Sequence, residues 1–157
     1  MNPTSDPYLP LDGSLTLNNI NDIIKEKING MCFETQEENA INKASEDLAS
    51  DFLNILTLYI KIQDIVDIDG RSALLLKAAD NFVDNLKKHV SKCANRAAST
   101  GLLFTWVPII MALNRSAREA NATVFQFTTT QLELQVHKFA MAHLSASLFR
   151  EIKNTYI

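Results

Sequence analysis

The chain reads as all-α: an antiparallel bundle of four to five helices with an extended N-terminal arm. Three observations predict this. Leu48, Phe52, Ile55, Tyr59, Ile62 and Val66 step by three and four residues, and Leu75, Ala79, Phe82, Leu86, Val90 and Ala94 do the same, the period of a helix with one buried face. The four glycines, Gly13, Gly30, Gly70 and Gly101, fall between such runs. Three of the four prolines, Pro3, Pro7 and Pro10, gather at the N-terminus, where they oppose a continuous helix.

Residues 1–14 are predicted as an extended, polyproline-like arm. The arm carries Tyr8, Leu9 and Leu11, apolar side chains that need a surface to cover, and assembly with a second copy is the role expected of them. Residues 15–157 are predicted as a single helical-bundle domain. Leu17, Ile20, Ile24 and Ile28 give residues 15–29 one apolar stripe and predict a short helix. Thr35-Gln-Glu-Glu38 is a capping box, and the helix it opens is predicted to run to about Ile68. Its seam is coiled-coil-like, and Leu53, Leu56, Ile60 and Ile65 widen it enough to imply more than one neighbour.

A further helix is predicted from about Ser72 to Ala98, with Asn81, Asn85, Lys88, Lys92 and Arg96 on its outer face. Residues 102–122 are predicted to be helical after Pro108, because proline suits a first helical turn. Residues 123–136 have the β-branched and aromatic content of a strand. They lack a turn residue, and Thr123, Phe127, Gln131 and Leu134 fit a helical period, so helix is the reading. Residues 134–154 form a clear final helix through Val136, Phe139, Ala140, His143, Leu144 and Ile152.

With 46% hydrophobic and 21% charged residues in 157, the chain has the composition of a folded domain. Leu102 to Leu113 has Thr105 as its only polar residue, but this run is shorter than the about twenty residues a membrane span needs. It is expected to be a buried central segment, with no membrane span. Cys32 and Cys93 lie far apart, and the first residues lack a basic start followed by an apolar run. Reduced thiols and an intracellular location are the expectation. The matches to a glycosylation pattern at Asn114 and Asn121 are then chance.

The most motif-like stretch is Asp64–Ala73, DIVDIDGRSA. With Gly70 at position 6 of a calcium loop, Asp67 and Asp69 fall at positions 3 and 5. Ile65 and Leu76 then occupy positions 1 and 12, where the cage needs oxygen ligands. Starting at Asp64 instead puts Val66 and Ile68 at ligand positions. The stretch is expected to be a turn between helices without a metal, with Asp69 or Ser72 capping the next helix and Gly70 ending the previous one.

No catalytic chemistry is legible. His137 and His143 are six apart, which points them to different sides of a helix, and His89 has no partner at metal-ligand spacing. Asp47/Asp51 and Asp80/Asp84 are carboxylate pairs one turn apart, and Lys77, Lys87 and Lys88 are close enough to the second pair to neutralise it. No nucleophile elbow, phosphate-cradling glycine loop or Cys-His pair is present. The expectation is a protein that is not an enzyme and has no cofactor, metal or small-molecule substrate.

Charge is unevenly divided. Residues 1–84 carry 15 acidic and 6 basic residues, whereas residues 85–157 carry 3 acidic and 9 basic ones. Lys88, Lys92 and Arg96 repeat at i, i+4 and i+8, and Arg115 and Arg118 follow. These five are the candidate nucleic-acid-binding residues, tracking phosphates and not reading bases, since no helix-turn-helix or other base-reading signature is present. The function expected is a non-catalytic, self-assembling helical-bundle subunit, a homo-oligomer packing single-stranded nucleic acid along its basic C-terminal half. A coat or nucleoprotein works this way, inside a cell or in a virion. The alternative is an intracellular adaptor or chaperone-like bundle that binds a partner helix in an apolar groove. A competing expectation for the basic stripe is that it pairs with Asp64, Asp67 and Asp69 of the same or a neighbouring molecule.

Overall fold

The computed structural model describes residues 35–62, 67–93 and 95–156, together with Asp22, Lys25 and Glu26, and its described side chains end at residue 146. The arm with Tyr8, Leu9 and Leu11, the capping hydroxyl of Thr35, and Cys32 and Asp64 lie outside what is described. The remaining chain is helical: α1 spans Thr35–Lys61, α2 Ile68–Lys92, α3 Arg96–Glu119 and α4 Thr123–Tyr156.

Chain direction alternates from helix to helix. Asn85 donates to Asp51, and His89 faces Asp47 one turn away on each helix, so α1 and α2 form an antiparallel hairpin. Ser99 meets His143 and Asn114 meets Thr129, which makes α3 and α4 a second one. The two hairpins lie side by side. Glu37 lines a cleft with Asn95–Gly101 while Ser45 meets Trp106, so α1 and α3 run alongside each other in the same sense. Gln135 reaches Asp80 and Phe139 sits under Lys87, so α2 and α4 do likewise.

The core sits where all four apolar stripes converge. Leu48, Phe52 and Ile55 of α1 and Leu75, Ala79, Phe82 and Leu86 of α2 are buried, as their spacing predicts. From α3 come Leu102, Leu103, Trp106, Ile109, Ile110 and Leu113, and from α4 Phe125, Leu132 and Val136. Trp106 is the hub: its ring lies 6.1 Å from Phe52 and 5.3 Å from Phe82, and those two rings are 6.5 Å apart edge to face. Its indole N–H donates to Ser45 Oγ at 3.2 Å, so the one polar atom of the hub is satisfied.

Several boundaries differ from the sequence reading. The first long helix ends at Lys61, not at Ile68, and the next begins at Ile68, not at Ser72. The cap is Asp67, whose carboxylate accepts from the Asp69 N–H at 3.1 Å, and not Asp69 or Ser72. Gly70 lies in the first turn of α2, where an added Cβ would come within 3.0 Å of the Asp67 carboxylate. The backbone here is not left-handed, so a larger residue at this position would need only a small shift of the exposed Asp67 carboxylate. α2 ends at Lys92 instead of Ala98, and α3 begins at Arg96, well before Pro108, which sits inside the helix. Asn95 caps α3 by accepting from the Ala98 N–H at 2.9 Å. Gly101 is buried within α3 and does not break it. Residues 123–136 are helical and continuous with the final helix.

The α3–α4 turn is a Schellman motif. Ala122 N–H donates to Ala117 O at 3.0 Å and Asn121 N–H to Arg118 O at 3.1 Å, with Asn121 in the left-handed region at φ 55. Asparagine tolerates this conformation better than other non-glycine residues, which explains how a sharp turn forms without a glycine.

Candidate interaction surfaces

The basic residues singled out above separate into two groups. Lys88 and Lys92 are exposed on the outer side of α2, and Arg96 is exposed just past the Cys93–Asn95 elbow at the start of α3. Arg115 and Arg118 are also exposed, but they stand near the other end of α3. At a rise of 1.5 Å per residue they lie about 30 Å from Arg96 along the bundle axis. The neighbouring lysine, Lys87, turns towards α4 instead, with its ammonium 5.8 Å from the centre of the Phe139 ring.

The acidic residues expected to neutralise the stripe are remote from it. Asp67 and Asp69 stand at the start of α2, some twenty residues before Lys88, which is about 30 Å along the helix. Pairing of Asp67 or Asp69 with the stripe within one molecule is therefore excluded. Asp80 takes its hydrogen bond from Gln135 at 3.2 Å, and Asp51 takes one from Asn85 at 2.7 Å.

Lys92 also lines a shallow cleft of about 400 Å³ between α1 and α2, with Lys43, Asp47, His89 and Cys93. His89 Nε2 lies 3.7 Å from the Asp47 carboxylate, which is mostly exposed, so this pair is weak. The Cys93 thiol donates to the His89 carbonyl at 3.3 Å, and burial pushes its pKa up from 9.0. A thiol kept protonated in this way is a poor nucleophile and a poor metal ligand. Among the described residues, no three His, Cys, Asp or Glu side chains converge to hold a metal ion.

The other two histidines are engaged or peripheral. His143 Nε2 is 3.1 Å from Ser99 Oγ across the α3–α4 seam, and His137 is half-buried. Glu133 accepts from Asn114 Nδ2 at 3.3 Å. Asn114, buried, also accepts from Thr129 at 2.9 Å and from Thr130 at 3.2 Å, so one amide ties successive turns of α4 to α3. These bonds hold a hairpin in register.

The sequence reading missed a second surface. Phe104 and Met111 on α3, and Phe127, Leu134 and Met141 on α4, are between 38% and 65% exposed. Each set repeats every seven residues, so each occupies one face of its helix. On α4 that face borders Thr130, and on α3 it borders Asn114, the residues that meet across the seam. Each face is an apolar strip on the outside of the α3–α4 hairpin, where Arg115 and Lys138 are also exposed. Five such side chains bare on the order of 500 Å², the size at which an apolar patch marks an interaction site. The signal is present in the 127/134/141 spacing, but within a wide apolar pattern these residues look no different from core.

α3 is long and apolar enough to cross a membrane by length and composition. The residues that make it so, Leu102, Leu103, Trp106, Ile109, Ile110 and Leu113, are the ones the bundle buries. No protein-family model, curated protein or solved structure matches the chain.

Proposed function

We propose that the protein is a non-catalytic, self-assembling helical-bundle subunit that packs single-stranded nucleic acid, in the manner of a coat protein or nucleoprotein. The observation that carries this reading is the exposure of Lys88, Lys92 and Arg96 together at one end of the bundle. Lys88 and Lys92, one turn apart on α2, with Arg96 at the start of α3, match the task of following a phosphate backbone without reading bases. Arg115 and Arg118, about 30 Å away, form a second anchor for the same or a neighbouring strand. Charge reversal of Lys88, Lys92 and Arg96 to glutamate leaves the buried face of Leu86 and Val90 untouched, so folding is expected to survive. In fluorescence anisotropy with a labelled oligonucleotide, the wild type binds at low salt and the reversed protein does not. Mutating the three one at a time flattens the salt dependence by about 0.7 log units for each phosphate that is no longer neutralised. Wild-type protein with a protein-like 260/280 ratio and no retention of oligonucleotide at low salt would falsify the nucleic-acid reading.

The second reading is an adaptor that binds a partner helix. It is favoured by the apolar strips of Phe104 and Met111 and of Phe127, Leu134 and Met141, whose heptad spacing is that of a helix-docking face. Light scattering separates the two: the first requires a large particle, the second a small monomer or dimer.

A further inference from the structure

We infer that the cleft where α1 ends and α4 begins is a binding site for a phosphate group, held chiefly by Arg71. The site stands apart from the nucleic-acid reading, whose Lys88 and Lys92 lie at the other end of α2.

The first observation is an arginine whose side chain has no partner. Arg71 is half-buried near the start of α2. Among the described residues its guanidinium makes no hydrogen bond and no ion pair, and its Nε is sealed from solvent. Asp67, one turn earlier, is the ordinary partner for it on a helix. Its carboxylate instead accepts from the Asp69 N–H at 3.1 Å. A buried N–H without an acceptor costs stability unless an ion or a water meets it. The second observation is the space beside this group. Arg71 lines a cleft of about 390 Å³ with Tyr59 and Ile62 from the end of α1, and with Asn121, Thr123 and Val124 from the α3–α4 turn. An unpaired cation thus stands at the wall of a cavity of ligand size.

The opposite wall adds donors. α4 is 34 residues long and starts in this cleft without a capping side chain. Ala122, at the cap position, has no side-chain oxygen, and its carbonyl takes the Gln126 N–H at 2.7 Å. The Val124 N–H, in the first turn, has no acceptor within the helix. Together these groups select the ligand. Arginine offers five N–H donors and no acceptor, so the ligand is an anion. The donors come from two sides, the guanidinium from α2 and the amide and hydroxyl groups from the start of α4. A phosphate carries oxygens in every direction and can meet both sides, whereas a carboxylate presents its two oxygens on one edge. The exposed carboxylates of Asp67 and Asp69 lie close to Arg71 in the chain and oppose any anion, so the site is expected to fill at millimolar phosphate.

The test reads the site itself. In isotope-labelled wild-type protein, the Arg71 Nε–H resonance is assigned by its loss in Arg71→Lys, and inorganic phosphate is titrated against sodium chloride of equal ionic strength. Phosphate should shift that resonance saturably. At about ten-fold excess over Kd it should raise the Tm of the wild type by about 3–6 °C, and the Tm of Arg71→Gln no further than chloride does. A resonance that phosphate moves no more than chloride would overturn the site, because water alone then meets the Nε–H. An equal shift with sodium acetate would overturn the choice of phosphate. Oligonucleotides with and without a terminal phosphate separate the sources. A shift with the phosphorylated strand alone supports a strand end as the ligand. A shift with inorganic phosphate but with neither strand supports a small phosphate compound. Arg71→Gln leaves Lys88, Lys92 and Arg96 in place, so loss of this site and loss of binding to an unphosphorylated strand are read separately.

Discussion

Single side chains decide more here than the regular pattern suggests. Asn114 is buried and binds Thr129, Thr130 and Glu133 at once. Replacing it with alanine strands polar groups on α4, and a loss of about 1–3 kcal/mol in chemical denaturation is expected. Replacing it with aspartate should cost more, because a buried carboxylate would face Glu133. Cys93 makes a different prediction. Its thiol is held protonated by burial, so the thiolate is scarcer than in a free cysteine at the same pH. In a Cys32→Ser background, its alkylation rate should rise with pH along a curve displaced to higher pH than that of a small thiol. Unfolding in urea should restore the ordinary curve. A Cys93 that reacts as fast folded as unfolded would show that the site opens readily. Neither role is legible in the sequence: a buried asparagine on a helix looks like any surface asparagine until its neighbours are known.

At the scale of elements, the faces were legible and the ends were not. The period of Leu48, Phe52, Ile55 and of Leu75, Ala79, Phe82, Leu86 reports burial directly, because a helix repeats its environment every three or four residues. Helix ends depend on one cap each, and here glycine and proline are poor guides to them. Gly101 is inside a helix because burial of Leu102 and Leu103 beside it outweighs its own weak helix propensity. Pro108 is inside one, and the carbonyl that its missing N–H would have met, one turn earlier, belongs to Phe104, an exposed residue. The real boundary signals are an aspartate and two asparagines: Asp67 and Asn95 start helices, and Asn121 ends one. Asn121 tests this. Glycine there should stabilise by about 0.5–1 kcal/mol, since it removes the residual cost of positive φ. Valine should destabilise by about 1–2 kcal/mol, and circular dichroism melts would separate the three proteins. The exposed strips of Phe104 and Met111 and of Phe127, Leu134 and Met141 are hidden in the sequence for a related reason. A helix that is apolar on most of its circumference does not say which apolar residues the bundle leaves outside.

For the whole molecule, the arrangement of two hairpins side by side explains how three helices meet at one hub. Phe52, Phe82 and Trp106 come from three different helices, so the hub ties the hairpins to each other and not only within themselves. Trp106→Ala should cost about 3–5 kcal/mol and lower both hairpins in one cooperative melt. Two separate transitions would mean that the hairpins are independent units. The division of charge along the chain was legible as an asymmetry, but its spatial meaning was not. Helix directions place Lys88, Lys92 and Arg96 at one end and Arg115 and Arg118 near the other, and no count of residues reveals that.

The elbow at Cys93–Asn95 has one more consequence. The apolar period of α2 continues through it: Leu86, Val90, Ala94 and Ala98 keep step as if no break existed. The helix after the bend is capped by the Asn95 side chain, accepting from the Ala98 N–H at 2.9 Å. An elbow whose flanks favour a straight helix is a hinge for domain swapping, in which α2 and α3 fuse and each hairpin packs against that of another molecule. Asn95→Ala removes the cap and raises helix propensity at the bend. The swapped dimer should then accumulate after refolding at high protein concentration and persist on dilution, with the core packing of the monomer re-formed between chains. Size-exclusion chromatography with light scattering, run on refolded wild type and variant side by side, reads this directly. A variant that stays monomeric at every refolding concentration would show that packing around Trp106, and not the cap, sets the bend.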